Sequence, residues 1–195
     1  MVALPPGTLL QLIYLEERLK LLPPGKFVEM GPGSGEITAI LLANGWSGSA
    51  YDLEESTIKK LEIRFENEIK HQQLKIIHGD FIDSSDDQHA DLIISCMVME
   101  HLTDAQLTKF MARSARLLTP NGRMIGFVPA SPKHWGIEDD IAGHLRCYTH
   151  ITLKDFFEGA NWNILHISGL TYPVSNILLP ISNYLVKRSE SHKLS

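Results

Sequence analysis

Along the chain, short apolar runs alternate with stretches in which apolar residues recur every three or four positions. That is the pattern of strands and helices taking turns in a parallel sheet. Leu12, Leu15, Leu19 and Leu22 repeat at helical spacing and predict a first helix over Leu9–Leu22, ended by Pro23-Pro24-Gly25. A strand is expected at Phe27–Met30, then a glycine turn and a helix from Glu36 to Asn44. Ser49–Asp52 reads as a second strand, followed by a charged amphipathic helix from Glu54 to Lys70. Lys75–His78 reads as a third strand, closed by Gly79-Asp80. Asp91–Cys96 is almost wholly apolar, as a strand buried on both faces should be. A helix over Asp104–Leu118 stops at Thr119-Pro120-Asn121-Gly122, and a fifth strand fits Arg123–Val128. A helix near Leu153–Gly159 and a sixth strand over Asn163–Ser168 complete the series. Pro129–His150 is too long for a plain connection and is expected to be a functional loop. The fold class is therefore α/β, a doubly wound, mostly parallel sheet with helices on both faces.

At 195 residues the chain reads as one domain: an N-terminal helix over 1–24, a core over 25–170 and an apolar tail over 171–195. With 44% hydrophobic and 21% charged residues, 14 Gly and 10 Pro, the composition is that of a soluble globular protein, not a disordered or fibrous one. The net charge of −5 and pI near 6.0 argue against a protein that binds by neutralising phosphates, so no nucleic acid is expected as partner. Cys96 and Cys147 cannot build a disulfide framework and form no CxxC pair, which points to a reducing, cytoplasmic setting. The segment Met1–Gly7 lacks the positive start of a signal peptide. The longest apolar run, Leu92–Met99, falls far short of the ~20 residues of a membrane span, so no integral membrane segment is expected.

The candidate chemistry begins at Glu29-Met30-Gly31-Pro32-Gly33-Ser34-Gly35-Glu36, between a predicted strand and helix. Glycines there let the backbone turn sharply and a ligand approach closely, while the helix beyond points its free N–H groups into the turn. Asp52 follows Gly31 by 21 residues, at the end of the second strand, where a carboxylate can accept two ribose hydroxyls. A structural turn is the plain alternative, and the strand–turn–helix context with Asp52 argues against it. The spacing leaves NAD or S-adenosyl-L-methionine as nucleotide ligands and disfavours the first. The dehydrogenase pattern wants a third glycine where Glu36 stands, no tyrosine is followed four residues later by lysine, and no Gly-Lys-Ser/Thr of a P-loop occurs.

These residues resemble the class I S-adenosylmethionine-dependent methyltransferases. Val28–Gly35 resembles that family's first motif, and Asp52 its ribose-binding acid. His78-Gly79-Asp80-Phe81 is similar to its third-strand motif, whose Asp receives the adenine amino group. Ile94–Leu102 is similar to its fourth-strand segment, and Leu117–Arg123 to the turn before its fifth strand. The resemblance covers residues 25–170 and implies a Rossmann-like fold, S-adenosyl-L-methionine as cofactor, and methyl transfer to a small-molecule or carrier-bound acceptor. It implies a cofactor site of Glu29, Gly31, Gly33, Gly35, Asp52, Leu53, Asp80, Phe81, Cys96 and Met97. Glu29 would meet the cofactor's ammonium directly or through water, the turn would line its methionine moiety, and Phe81 and Met97 would pack on the adenine. Each of these acids also has a local reading, a strand end or an Asx turn, and Phe81 and Met97 could equally be core.

Methyl transfer asks mainly for alignment of acceptor, methyl and sulfur, and for a base when the acceptor carries a proton. His101 lies just beyond the fourth strand, at the carboxyl edge where open α/β sheets bind ligands. Between Ser131 and Thr149 the chain gathers His134, Trp135, Glu138, Asp139, Asp140, His144, Arg146 and Tyr148. Gly143-His144-Leu145-Arg146-Cys147-Tyr148-Thr149 resembles a segment of small-molecule members that faces the acceptor. His144 and Tyr148 are the candidates for acceptor contact or base, with Arg146 for an anionic group. An ordered lid held by its own hydrogen bonds is the alternative. Asp140 and His144 alone fall short of a metal site, and no metal is expected.

The family sheet ends in a seventh, antiparallel strand, and no convincing one follows Ser168. Either that strand is missing or the chain is a piece of something longer. The apolar tail, with its helical face broken at Pro180, would pack on the domain, pair with a second copy as a homodimer, or lie on a membrane surface. The competing function is a cofactor-binding subunit that supports a catalytic partner; the intact turn, Asp52 and Asp80 weigh against it. A nicotinamide-dependent oxidoreductase fails on the glycine spacing.

Overall fold

The structure, a computed structural model, describes residues 5–170. The apolar tail and its expected contacts lie outside the described residues. The chain divides into two compact units, Met1–Phe127 and Val128–Ser195.

The first unit is a sheet of five parallel strands in the order β3-β2-β1-β4-β5. In chain order its elements are α1 (Pro6–Leu19), β1 (Lys26–Met30), α2 (Glu36–Ala43), β2 (Ser47–Asp52), α3 (Glu55–Arg64), α4 (Glu66–Lys70), β3 (Leu74–His78), β4 (Ala90–Cys96), α5 (Asp104–Leu117) and β5 (Leu118–Phe127). The chain steps one way from β1 to β3 and the other way from β4 to β5. Right-handed crossovers therefore send α2 and α3 to one face and α5 to the other, which makes the sheet doubly wound. The strand order reverses between β1 and β4. The carboxyl ends of these two strands are thus the topological switch point, where sheets of this kind open a crevice.

The core follows the pattern of the sequence. Leu92, Ile93 and Ile94 of β4 are fully buried on both faces, and Phe27, Val28 and Met30 of β1 are nearly so. Thr103 and Gln106 start α5 with a reciprocal capping box, and Leu107, Phe110, Met111, Ser114 and Leu117 make its buried face. Phe81 lies in this core. Its ring meets Tyr51 and Phe110 edge-on, at 5.5 and 5.7 Å between centroids, and the Arg113 guanidinium sits 5.1 Å from its centre.

Several expectations shift on the structure. The charged helix expected over Glu54–Lys70 is broken at Phe65, which leaves helical geometry (φ −114, ψ 27) between α3 and α4. The fifth strand starts at Leu118, not Arg123. Leu118 pairs with Ala90, the chain loops out through Pro120, and pairing resumes at Leu92 with Arg123, since proline has no N–H for the ladder.

The second unit holds a 3₁₀ turn (Pro132–His134), α6 (Ile137–Ala142) and α7 (His150–Gly159). Thr149 caps α7 through the Thr152 N–H at 3.0 Å. The sixth strand expected at Asn163–Ser168 does not form; the segment is irregular and Leu165 is 69% exposed. Apolar alternation makes a strand only where a neighbouring edge pairs with it.

Because the Phe81 ring is spent on the core, Phe81→Ala should cost about 3–5 kcal/mol of unfolding free energy. Urea titration checks this; unchanged stability would return the ring to the candidate site.

Candidate active site

The turn after β1 is built on left-handed backbone. Gly31, Gly33 and Gly35 have φ of 69°, 54° and 83°, a region that side chains with a Cβ rarely adopt. Its closure is local: the Gly31 N–H donates to the Tyr51 carbonyl at 3.0 Å and the Gly35 N–H to the Pro32 carbonyl at 2.8 Å. A Cβ on Gly31 would come 2.6 Å from Val98 Cγ2, so the turn after β1 and the segment after β4 meet at the switch point. At Gly33 nothing lies within 4 Å of such a Cβ, and the turn faces open space there. This concave backbone at the start of α2 fits an adenosyl cofactor bearing a compact charged end.

Glu29 lies beneath the turn, between Ala50 and Ile94 in register, and is 1% exposed. The Thr38 hydroxyl of α2 donates to its Oε2 at 2.6 Å. Burial drives the Glu29 carboxyl up to about 7, and the Thr38 hydrogen bond only partly opposes it.

The next acids line up along the same edge. Asp52 ends β2 opposite His78 of β3 and is half-buried. Its Oδ1 accepts the Glu54 N–H at 2.8 Å, an Asx turn that fixes the carboxylate plane and directs the second oxygen elsewhere. Asp80 repeats the device, with Oδ1 accepting the Ile82 N–H at 2.8 Å. His78 Nε2 donates to the Leu53 carbonyl at 3.0 Å and so ties down the loop that carries Asp52. Leu53 is 65% exposed.

At the end of β4, Met97 adopts φ of 54° and is 37% exposed, while its N–H donates to the Phe127 carbonyl at 2.9 Å. Left-handed backbone at a residue other than glycine carries strain that folds keep chiefly at functional sites. Cys96 precedes it. Burial, with the negative charges of Glu29 and Glu100 beside it, pushes the Cys96 thiol up to about 12, so it stays a neutral thiol and no nucleophile. His101 ends the short 3₁₀ turn Met99–His101 and is exposed, next to the fully buried Glu100.

In the second unit, residues 131–147 form a loop closed at its neck. The Tyr148 N–H donates to the Pro129 carbonyl at 2.9 Å and the Ser131 N–H to the Tyr148 carbonyl at 2.8 Å. Tyr148 is 6% exposed. His144 is held by Asp139, not Asp140: its Nδ1 donates to Asp139 Oδ1 at 2.8 Å, while the Trp135 indole N–H takes Asp140 at 2.8 Å. Asp139 also receives the Cys147 thiol at 3.6 Å and, on Oδ2, the Gly136 N–H at 2.8 Å. Burial raises the Asp139 carboxyl, but the Gly136, His144 and Cys147 hydrogen bonds outweigh it and hold the group below its ordinary value. The donor atoms of Asp139, His144 and Cys147 lie within 4.8 Å of one another, an oxygen, nitrogen and sulfur set of the kind metals accept. The short-range pattern did not separate Asp139 from Asp140; after the left-handed Gly143 that ends α6, the His144 N–H meets the Asp139 carbonyl at 3.0 Å and its ring the Asp139 carboxylate.

Thr38, Val98 and Arg64 also adjoin the glycine turn without having been legible as part of it. Arg64 reaches it from α3, 30 residues away in the chain, through a hydrogen bond to the Ser34 carbonyl.

The Methyltransferase domain family model matches residues 8–167, across both units. The chain belongs to that family, and with it to the class I S-adenosylmethionine-dependent methyltransferases that its motifs resemble. Among solved structures it is similar to the glycopeptide N-methyltransferase MtfA complexed with S-adenosyl-L-methionine, at 18% identity and a TM-score of 0.55, over 64% of this chain and 55% of that one. It is also similar to the methyltransferase domain of bacterial CtHen1, at 15% identity and a TM-score of 0.63, over 78% of this chain and 83% of that one. TehB from Haemophilus influenzae matches at 15% identity and a TM-score of 0.65, over 81% of this chain and 52% of that one. The chain thus spans about half the length of MtfA and TehB. At these identities the likeness is one of fold. No curated protein matches the chain by sequence.

The raised Glu29 carboxyl makes a signed prediction. The unfolded chain loses this proton near its ordinary 4.5, whereas the folded chain keeps it until about 7. Stability from this group is fully present below pH 4.5 and is lost as pH rises through 7. Wild type should lose roughly 3 kcal/mol relative to Glu29→Gln across that window. Urea unfolding of both at several pH values checks it, and parallel profiles would contradict it.

Proposed function

We propose that the chain transfers a methyl group from S-adenosyl-L-methionine to a small-molecule or carrier-bound acceptor by in-line displacement. The observation that carries this reading is the left-handed turn of Gly31, Gly33 and Gly35, opening at the switch point with two Asx-fixed carboxylates on the same sheet edge. The bound cofactor supplies an electrophilic methyl on a sulfonium. The turn lines its amino-acid end, and Glu29, buried below, acts on its ammonium through water or through its field. Asp52 takes the ribose hydroxyls with the oxygen its Asx turn leaves over, and Leu53 offers apolar surface beside it. Asp80 accepts the adenine amino group, Phe81 adds only backbone, and Cys96 and Met97 close the far side. No side chain need attack anything: holding donor and acceptor in line is most of the catalysis.

His101 and, in the second unit, His144 and Tyr148 are the candidates for acceptor contact or for taking the acceptor's proton. His144 suits the second role because Asp139 fixes its ring through Nδ1. No helix among the described residues is long and apolar enough to cross a membrane. Cys96 and Cys147, neither of them in a disulfide, support a cytoplasmic setting.

Asp52→Ala should lower affinity for S-adenosyl-L-homocysteine about ten- to a hundredfold, the worth of charge-assisted ribose hydrogen bonds, with little effect on folding. Unaltered affinity would show that the β2 acid is misassigned. The activity itself is tested by incubating the chain with S-adenosyl-L-methionine and a panel of hydroxyl, amine and carbon acceptors, read by mass spectrometry. One acceptor class should gain a methyl; if only automethylation or none occurs across the panel, the supporting-subunit reading prevails.

A further inference from the structure

The last turn of α3 and the residue that follows it reach the glycine turn with three side chains. Gly35 packs on Leu61 and Phe65 so closely that a Cβ there would stand 2.8 Å from Leu61 Cδ2 and 2.6 Å from Phe65 Cε2. Phe65 is the residue at which the helix breaks, and it is 4% exposed. From the same turn, Arg64 donates to the Ser34 carbonyl and grips Glu36 with both prongs, Nη1 to Oε1 at 2.7 Å and Nη2 to Oε2 at 3.2 Å.

Two consequences follow. The Ser34 carbonyl is turned toward Arg64, so the peptide linking Ser34 to Gly35 is held at both ends, by Arg64 at its carbonyl and by the Pro32 carbonyl at its N–H. Glu36 occupies the first turn of α2, where the helix end favours negative charge and where a ligand carboxylate would compete with it. The guanidinium neutralises that acid. Both partners are about one-third exposed, so the pair adds little to global stability, and its weight falls on local geometry and charge at the turn.

We propose that Arg64 is a positioning residue for the amino-acid end of the cofactor, acting through Ser34 and Glu36 on the shape and charge of the glycine turn. This rests on the reading that the turn holds the amino-acid end of S-adenosyl-L-methionine. It separates two parts of one ligand: the methionine end depends on Arg64, while the adenosine end, held by Asp52 and Asp80, does not.

Calorimetric titration of wild type, Arg64→Ala and Arg64→Lys with two probes tests it. S-adenosyl-L-homocysteine carries the amino-acid end, and 5′-methylthioadenosine lacks it. Arg64→Ala should weaken the first about tenfold and leave the second within about twofold of wild type. Arg64→Lys keeps the charge but loses the planar fork, and should weaken the first by about threefold, again with the second unchanged. Should Arg64→Ala fail to fold, the Lys variant carries the test by the same contrast. Equal losses on both probes would reduce Arg64 to general support of the fold, and no loss on S-adenosyl-L-homocysteine would overturn the inference outright. If wild type binds neither probe, the reading of the turn falls and takes this inference with it. If wild type binds both and the variants match it, only the inference falls.

Discussion

Between Met30 and Glu36 the backbone must leave the buried end of a strand and enter a helix within five residues. It manages this by placing Gly31, Gly33 and Gly35 in left-handed geometry. Everything at the carboxyl edge of the sheet is arranged around that reversal. Val98 after β4 approaches Gly31 too closely for a side chain, Leu61 of α3 and Phe65 just beyond it do the same at Gly35, and Glu29 and Thr38 are sealed together beneath. The turn is therefore a packing solution in its own right. Its glycines at 31 and 35 are required by sterics and backbone angle together, whereas Gly33 is required by backbone angle alone and faces open space.

Around this turn the acids divide by what water can reach. Glu29 is buried beneath the turn and holds its proton to about pH 7. Asp52 and Asp80 are half-buried at strand ends, each spending one oxygen on the chain's own backbone two residues on. That use of an oxygen is local structure, and it is also what aims the rest of the carboxylate. The Asx-turn and ligand readings of these residues are thus compatible.

The sequence revealed most of the first unit because its signals are local. Apolar runs predict strands, glycine spacing marks the turn, and an acid at the end of the next strand falls where strand length puts it. What stayed hidden depends on long-range packing. Phe81 follows a strand-end motif, yet its ring goes to Tyr51 and Phe110, which no spacing reveals. The break at Phe65 interrupts a continuous amphipathic pattern, and its ring lies beside Gly35, a neighbour the local pattern does not reveal. Asn163–Ser168 reads as a strand in the sequence, yet it takes no strand conformation in the structure. In the loop, the local pattern does not separate Asp139 from Asp140, and beyond the Gly143 that ends α6 His144 meets the first of them.

The central claim is that the glycine turn and the acids beside it form an adenosyl-cofactor site in a methyltransferase domain. Its most direct test is calorimetry of the folded wild-type chain against S-adenosyl-L-methionine and, separately, NAD. Saturable heat with the first and none above background with the second is the predicted result. Absence of heat with S-adenosyl-L-methionine, or equal binding of NAD, would contradict the account.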